Sequence, residues 1–205
     1  SLLVLVLAMM VAGPAAALDP DQGLHQYGLD GWTSLDGLPQ NSIQAIHQSR
    51  DGYLWFGTQE GLVRFDGVRF TVFDGGNTPA FIHDDVQDLA ETADGSLWIA
   101  TYGGGLVRLH DGRFTSVAGA AAGEVLPTTA SVMALAVGPT GTLWIGTLDA
   151  GLFRWQDGRL ERVPVPGDHA DAGILAVAED PRGTLWLGTH QGLARCWEGR
   201  WGAVP

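Results

Sequence analysis

The sequence contains no lysine and only one cysteine, Cys196, among its 205 residues. A single cysteine excludes an intrachain disulfide, and the absence of a CxxC or Cys/His pattern leaves no cysteine-based metal site. Free cysteine is among the most buried residue types, so we interpret Cys196 as a small hydrophobic core residue. The sequence predicts neither a metal ion nor a cofactor.

Positive charge is also scarce. Eleven arginines stand against 23 acidic residues, which gives a formal net charge of −12. A surface this acidic repels phosphate backbones, so we do not expect nucleic acid as a partner. Thirty glycines indicate many turns, and an apolar content of 45% is sufficient for a sizeable core.

The N-terminus has no charged residue before Asp19. Its apolar run ends in Gly13-Pro14 and then in Ala15-Ala16-Ala17, which matches a signal-peptidase site. We therefore predict a signal peptide over residues 1–17, truncated at its start because no basic region precedes the run, and export to the periplasm. An uncleaved membrane anchor is the alternative.

A motif centred on tryptophan occurs four times, at Trp55, Trp98, Trp144 and Trp186, with spacings of 43, 46 and 42 residues. This period is typical of the four-stranded blades of a β-propeller. Turn residues and apolar runs predict four strands in each repeat. Strand A is predicted at 43–48, 86–91, 132–137 and 174–179; strand B at 54–58, 97–101, 143–147 and 185–189; strand C at 62–65, 106–109, 152–155 and 193–197; and strand D at 69–73, 113–117, 159–163 and 200–204.

The repeated residues suggest how blades pack. Each tryptophan is a wedge between neighbouring blades, and we expect Trp98 and Trp144 to be buried there. Glycines at 57, 146 and 188, with alanine at 100, leave space for a neighbour, and Asp-Gly turns join strands C and D. One arginine recurs in each Gly-Leu-x-Arg segment (Arg64, Arg108, Arg154 and Arg195). We expect each arginine to bind turn carbonyls or a carboxylate of its own blade rather than to form an anion-binding ring.

These elements predict an all-β fold. The repeats divide into blades at 43–84, 85–130, 131–172 and 173–205. They follow a segment, 18–42, in which residues 25–34 have the position of an orphan outer strand. Because the fourth repeat has its own strand D, the orphan strand has no vacancy to fill. We therefore predict an open arc of a larger β-propeller, with about seven blades in all, that is incomplete at its C-terminus.

The segment DGLPQNSI at 36–43, followed by DG-LWFGT at 51–58 and GLVRFDG at 61–67, resembles the two-component regulator propeller family. Later repeats depart from the pattern at Ala100, Thr140 and Arg182. The resemblance implies the sensor half of a longer, membrane-anchored and dimeric signalling protein, whose output domain is a histidine kinase, sometimes with a receiver, or a diguanylate cyclase. The chain has no motif of these output domains, so we do not expect it to be an enzyme.

Propeller loops between strands D and A, and between strands B and C, gather on one face around the central channel. On this face we predict ligand contacts from Tyr102, Asp149 and His190, which we expect at equivalent positions in the B–C loops of consecutive blades. Further candidates there are Gln59, Glu60, His83 and Asp84, and the D–A loop before the fourth repeat adds His169 and Asp171 to this face. Polar and aromatic loop residues on a rigid scaffold suit a small polar ligand such as a sugar, or a partner sensor subunit. The alternative is an exported propeller enzyme that acts on a carbohydrate.

Overall fold

The computed structural model describes residues 30–117, 126–169 and 172–203. The predicted signal peptide and the first part of the predicted orphan strand lie outside these ranges. Sixteen strands occur in chain order: β1 Ile43–Gln48, β2 Leu54–Thr58, β3 Gly61–Phe65, β4 Phe70–Phe73, β5 Val86–Glu91, β6 Leu97–Thr101, β7 Gly105–His110, β8 Arg113–Ser116, β9 Val132–Val137, β10 Leu143–Thr147, β11 Leu152–Gln156, β12 Arg159–Val163, β13 Ile174–Glu179, β14 Leu185–Thr189, β15 Gly192–Trp197 and β16 Arg200–Ala203.

The strands form four antiparallel sheets of four strands, each connected in chain order, which we call blades 1 to 4. This confirms the all-β fold with four blades. The helical structure in the described residues consists of two 3₁₀ turns, Ser34–Asp36 and Gly167–His169. Within the same residues, none of the helical segments has the length and apolar character required to cross a membrane.

Strands A and B match their predicted bounds in every blade, but strand D of blade 1 begins one residue later than predicted. Its Asp-Gly pair stands one position earlier than in blade 2, and Phe65 pairs with Phe70 across a four-residue loop that ends in Val68 and Arg69. The carboxylate of Asp66 accepts hydrogen bonds from the backbone nitrogens of Val68 and Arg69, at 2.8 and 2.7 Å. In blade 2, by contrast, a two-residue Asp-Gly loop is sufficient, with Asp111 at a φ of 49°.

The hydrophobic core lies between the blades. One cluster joins Trp55 and Leu62 of blade 1 to Val86 and Ile99 of blade 2. Two similar clusters join blade 2 to blade 3 and blade 3 to blade 4. Each pair of adjacent blades therefore buries an apolar cluster between its two facing sheets. Towards the ends of the arc, Ile46 of blade 1 is 69% exposed and Trp197 of blade 4 is 56% exposed, so the arc is open.

The motif tryptophans Trp98 and Trp144 differ in how deeply they are buried between the blades. Trp98 is fully buried between blades 2 and 3, and its ring centroid lies 5.0 Å from that of Trp155 on the next blade. Trp144 packs against the cluster between blades 3 and 4 but is only partly buried. The prediction of a buried Trp144 was therefore wrong in degree. Blade 4 has no further blade packed on its outer face in the described residues, so its inner cluster is smaller.

Glycines in strand B make room for the next blade. A β-carbon on Gly57 would lie 2.8 Å from Val86 Cγ1, and one on Gly146 would lie 2.7 Å from Ile174 Cγ2. Val86 and Ile174 are the first residues of strand A in the following blades. At Gly188 in blade 4, the nearest atom would be Ala176 Cβ of the same blade, at 3.3 Å. The first two contacts confirm the predicted role of these glycines in close blade packing.

The predicted orphan strand is not formed in residues 30–34, the part of it that the structure describes. Trp32 and Thr33 have no regular secondary structure, and Ser34 begins a 3₁₀ turn. The Thr33 side chain and the Asp36 carboxylate cap that turn reciprocally. This local hydrogen bonding competes with strand pairing. Trp32 instead packs on the aromatic rings of Phe65 and Phe70, with centroids 5.4 and 6.3 Å away.

Candidate functional site

At the predicted binding face, the same backbone hydrogen bond joins the B–C loop to the D–A loop in blades 2, 3 and 4. The residue after strand B donates its backbone N–H to the carbonyl that precedes strand A of the same blade. Tyr102 donates to Asp85 at 2.8 Å, Leu148 to Ser131 at 2.8 Å and His190 to Gly173 at 3.2 Å. Leu148 is thus the structural equivalent of Tyr102 and His190. Asp149 lies one residue further along its loop, which corrects the predicted equivalence.

The candidate side chains in the B–C loops of the D–A/B–C face are exposed, but they differ in whether they already make a hydrogen bond within the protein. Tyr102 is 43% exposed, and Gln59, Glu60 and His190 are also exposed. Asp149 is exposed as well, but its carboxylate accepts a hydrogen bond from the backbone nitrogen of Ser131, at 3.1 Å. Asp149 therefore holds its loop against the D–A connection in addition to facing solvent.

The D–A loop before blade 2 contacts the B–C loop that carries Tyr102. A β-carbon on Gly104 would lie 2.9 Å from the backbone nitrogen of His83, so the two loops are in close contact there. Asp84 accepts a hydrogen bond from the backbone nitrogen of Gly75, at 2.7 Å. The structure thus brings His83 beside the loop of Tyr102, while the carboxylate of Asp84 is used to order its own loop.

Blade 4 repeats this contact with a histidine that was also placed on this face by its sequence position. His169 Nδ1 lies 3.0 Å from Thr189 Oγ1, directly before His190. Asp171, placed on the same face by its sequence position, lies outside the described residues. Histidines from two D–A loops, His83 and His169, therefore lie against the B–C loops of the blades that follow them.

The opposite end of each blade carries the A–B and C–D turns. In blade 2 the indole nitrogen of Trp98 donates to the Thr92 hydroxyl at 2.9 Å, and that hydroxyl donates to Asp94 at 2.6 Å. Arg108 donates to Asp94 and to the Ser96 hydroxyl, both at 2.9 Å. Burial alone would raise the pKa of Asp94, but the hydrogen bonds from Thr92 and Ser96 and the charge of Arg108 lower it to about 2.

A cleft of about 710 Å³ opens at this A–B/C–D end, between blades 1 and 2. Arg64, Trp55 and Phe73 line it from blade 1, and Leu97 and Phe114 line it from blade 2. Its carboxylates are contributed by Asp51, Glu91, Asp94 and Asp111. We call it the Arg64 cleft. Sequence reasoning missed it, because it depends on the pairing of two different repeats and not on any single motif.

Comparison with known proteins identifies the class of these repeats. The model of the family "Two component regulator propeller" matches residues 37–60, 80–103 and 170–191. Three segments of the chain thus match this family's model, which confirms the resemblance seen in the sequence. Over 42 residues, 20% of this chain, it is 45% identical to Histidine kinase P4 from Formosa agariphila. The chain spans about 3% of that relative.

Solved structures share the fold. The extracellular domain of a putative one component system, BT4673 of B. thetaiotaomicron, has a TM-score of 0.65 at 23% identity, covering 81% of this chain and 23% of that one. Virginiamycin B lyase from Staphylococcus aureus has a TM-score of 0.57 at 16% identity, covering 78% of this chain and 54% of that one. At these identities the likeness concerns the fold alone. The chain spans less than a quarter of the first of these structures and about half of the second.

Proposed function

We propose that this chain is the ligand-sensing propeller of an exported, membrane-anchored signalling protein that works as a dimer. The observation that carries the proposal is the 45% identity to a histidine kinase over 42 residues, and three segments that match the two-component regulator propeller model support it. The apolar leader at 1–17, with its Ala15-Ala16-Ala17 site, supports export to the periplasm. Output then depends on a kinase or cyclase domain elsewhere in the full-length protein.

The ligand site of this proposal is the D–A/B–C face. Tyr102 offers an exposed aromatic ring for stacking, and His190 and Asp149 offer hydrogen-bonding groups on the next two blades. Further contacts come from Gln59, Glu60, His83 and Asp84 in the loops of blade 1 and in the connection to blade 2. Such a surface suits a small polar ligand, for instance a sugar, or a partner sensor subunit.

The test is the signalling output of the full-length protein with Tyr102, Asp149 and His190 changed together to alanine. A matched control changes Arg113, Thr140 and Arg182 to alanine, since these residues are exposed at the A–B/C–D end of the same three blades. We expect the first variant to lose its response to the inducer and the control to keep it. A response that survives in the first variant would remove the ligand site from this face.

The alternative function is an exported propeller enzyme that acts on a carbohydrate. It is favoured by one observation: virginiamycin B lyase, an enzyme, shares this fold with a TM-score of 0.57. The two functions differ in a simple assay. An enzyme converts a polysaccharide substrate with the purified chain alone, whereas a sensor domain binds its ligand and leaves it unchanged.

A further inference from the structure

Of the four equivalent arginines, Arg64 and Arg195 have no ion pair in the described residues, but Arg195 is exposed whereas Arg64 has a buried nitrogen. Arg108 binds Asp94 of its own blade at 2.9 Å, and Arg154 binds Glu161 of its own blade at 2.8 Å. The expected pairing within the blade is thus confirmed for these two. Arg64 differs, because its Nε is buried and has no hydrogen-bond partner in the described part of the chain. A buried donor without a partner is costly, so this position calls for an explanation.

The cause lies in the A–B turn of blade 1. In blade 2 the hydroxyl of Ser96 accepts a hydrogen bond from Arg108 Nε at 2.9 Å. Blade 1 has Tyr53 at the matching position, and the Arg64 guanidinium carbon lies 4.6 Å from the centre of the Tyr53 ring. Tyr53 thus replaces a hydrogen-bond acceptor by an aromatic face, and it holds the guanidinium without neutralising its charge.

The Arg64 cleft around this group carries both signs of charge. Glu91 is engaged, since it accepts from the backbone nitrogen of Arg50 at 3.0 Å and lies 3.4 Å from His47 Nε2. Asp94 is engaged by Arg108. Asp51 accepts from the hydroxyl of Ser49, which leaves its charge without an opposite charge within salt-bridge distance in the described residues. The cleft therefore presents an unpaired cation, Arg64, and an unpaired anion, Asp51.

The remaining wall of the cleft is apolar. Leu97, Leu109 and Phe114 of blade 2 line it opposite Phe73 of blade 1. The volume of about 710 Å³ lies within the range of sites for small molecules. A ligand that fits has a carboxylate for Arg64, a positive group for the acidic side and an apolar portion between them.

We propose that the Arg64 cleft binds a zwitterionic amino acid with an apolar side chain. Its carboxylate accepts hydrogen bonds from Arg64, including the buried Nε, and its ammonium group faces Asp51. Its side chain packs on the wall formed by Leu97 and Phe114. A simple anion is disfavoured by the four carboxylates that line the cleft. The inference rests on the proposed sensing function for its biological meaning, but it places a ligand at the end opposite the D–A/B–C face.

The experiment is calorimetric titration of the purified chain with L-leucine. Leucinamide, which lacks the carboxylate, 4-methylpentanoate, which lacks the ammonium group, and glucose are titrated in parallel. The variant Arg64→Gln removes the cation, and Arg154→Gln is its matched control, because it removes the equivalent arginine in blade 3. Arg64→Lys serves as a second variant that keeps the charge, and circular dichroism verifies that each variant is folded.

We expect L-leucine to bind the parent chain and Arg154→Gln equally. Binding to Arg64→Gln, and binding of leucinamide or 4-methylpentanoate to the parent, should be weaker by at least about tenfold, as expected when a charge-assisted contact is lost. Equal binding to Arg64→Gln, binding of glucose in preference to leucine, or no binding of leucine overturns the inference. None of these results touches the sensing function, which the signalling output of the D–A/B–C variant tests separately.

Discussion

Trp144 and Glu179 are joined across the boundary between blades 3 and 4 by a hydrogen bond of 2.6 Å from the indole nitrogen to the carboxylate. In blades 1 and 2 the equivalent indole binds a hydroxyl of its own blade, that of Ser49 or Thr92. Gly138 occupies the matching position in blade 3 and has no side chain to offer. A β-carbon there would overlap the Glu179 carboxylate. Because Gly138 offers no hydroxyl, the Trp144 indole has no acceptor at this position of its own blade and bonds to Glu179 of the next blade instead.

This arrangement predicts a coupled effect on stability. Gly138→Ala should lower the free energy of unfolding by about 1–3 kcal/mol, since the new methyl group displaces the Glu179 carboxylate. In a Glu179→Ala background the same change should cost about 1 kcal/mol less, because the colliding group is gone. Urea unfolding of the two single variants and the double variant measures this coupling. Additive effects of the two substitutions would contradict it.

The two forms of the tryptophan wedge predict unequal costs of truncation. Trp98→Ala should destabilise the fold by about 3–5 kcal/mol, because a fully buried aromatic side chain leaves a cavity between blades 2 and 3. Trp144→Ala should cost clearly less, because Trp144 is only partly buried. Thermal or urea unfolding compares the two variants directly. Equal losses, or a Trp98→Ala variant that unfolds like the parent, would show that the wedge is not what holds the blades together.

Close packing between blades 1 and 2 predicts the effect of one added methyl group. Gly57→Ala should destabilise by about 1–3 kcal/mol, since the β-carbon would lie 2.8 Å from Val86 Cγ1 and 3.0 Å from the Val86 carbonyl oxygen. Gly188→Ala is the matched control, because its nearest contact is a methyl group of its own blade at 3.3 Å. We expect the control to lose much less stability, as measured by the urea midpoint. A Gly188→Ala variant as unstable as Gly57→Ala would contradict the inter-blade explanation.

The sequence pattern within one repeat predicted most of the strands. It did not predict how side chains of neighbouring blades contact one another. Strands A and B were predicted with correct bounds, because turn glycines and apolar runs lie within each repeat. The half-buried state of Trp144 depends on the neighbouring blade, which no local pattern describes. The Nε of Arg64 has no hydrogen-bond partner in the described residues because Tyr53 occupies the position of Ser96 in blade 2. This difference becomes evident only when the two blades are compared position by position.

The candidate site was predicted in part. The sequence located Tyr102 and His190 in loops at one end of the blades, and the structure places both there. It also treated Asp149 as their equivalent, but Leu148 makes the matching backbone hydrogen bond and, like Tyr102 and His190, lies four residues after its motif tryptophan. The count from the motif tryptophan therefore locates the residue after strand B in each of these blades, and the equivalence of Asp149 was wrong because that residue stands one position further on.

The pKa of Asp94 predicts a pH-dependent contribution to stability. Because its folded-state pKa is lowered from 3.8 to about 2, the ionised carboxylate stabilises the folded chain at pH values above about 4. This contribution is lost as the pH falls through about 2, where the carboxylate is protonated in both states. We therefore expect the parent to be more stable than Asp94→Asn at pH 6, and we expect this difference to shrink towards pH 2. A difference that stays constant with pH in urea unfolding would contradict the assignment.

The sensing role is tested most directly by exchanging the propeller in the full-length protein. The blades described here are replaced by those of a protein from the two-component regulator propeller family, and signalling output is measured with the original inducer in otherwise identical cells. We predict that basal output persists and that the response to the original inducer disappears, because the proposed function assigns recognition to the blades. A chimera that still responds to the original inducer would contradict the account.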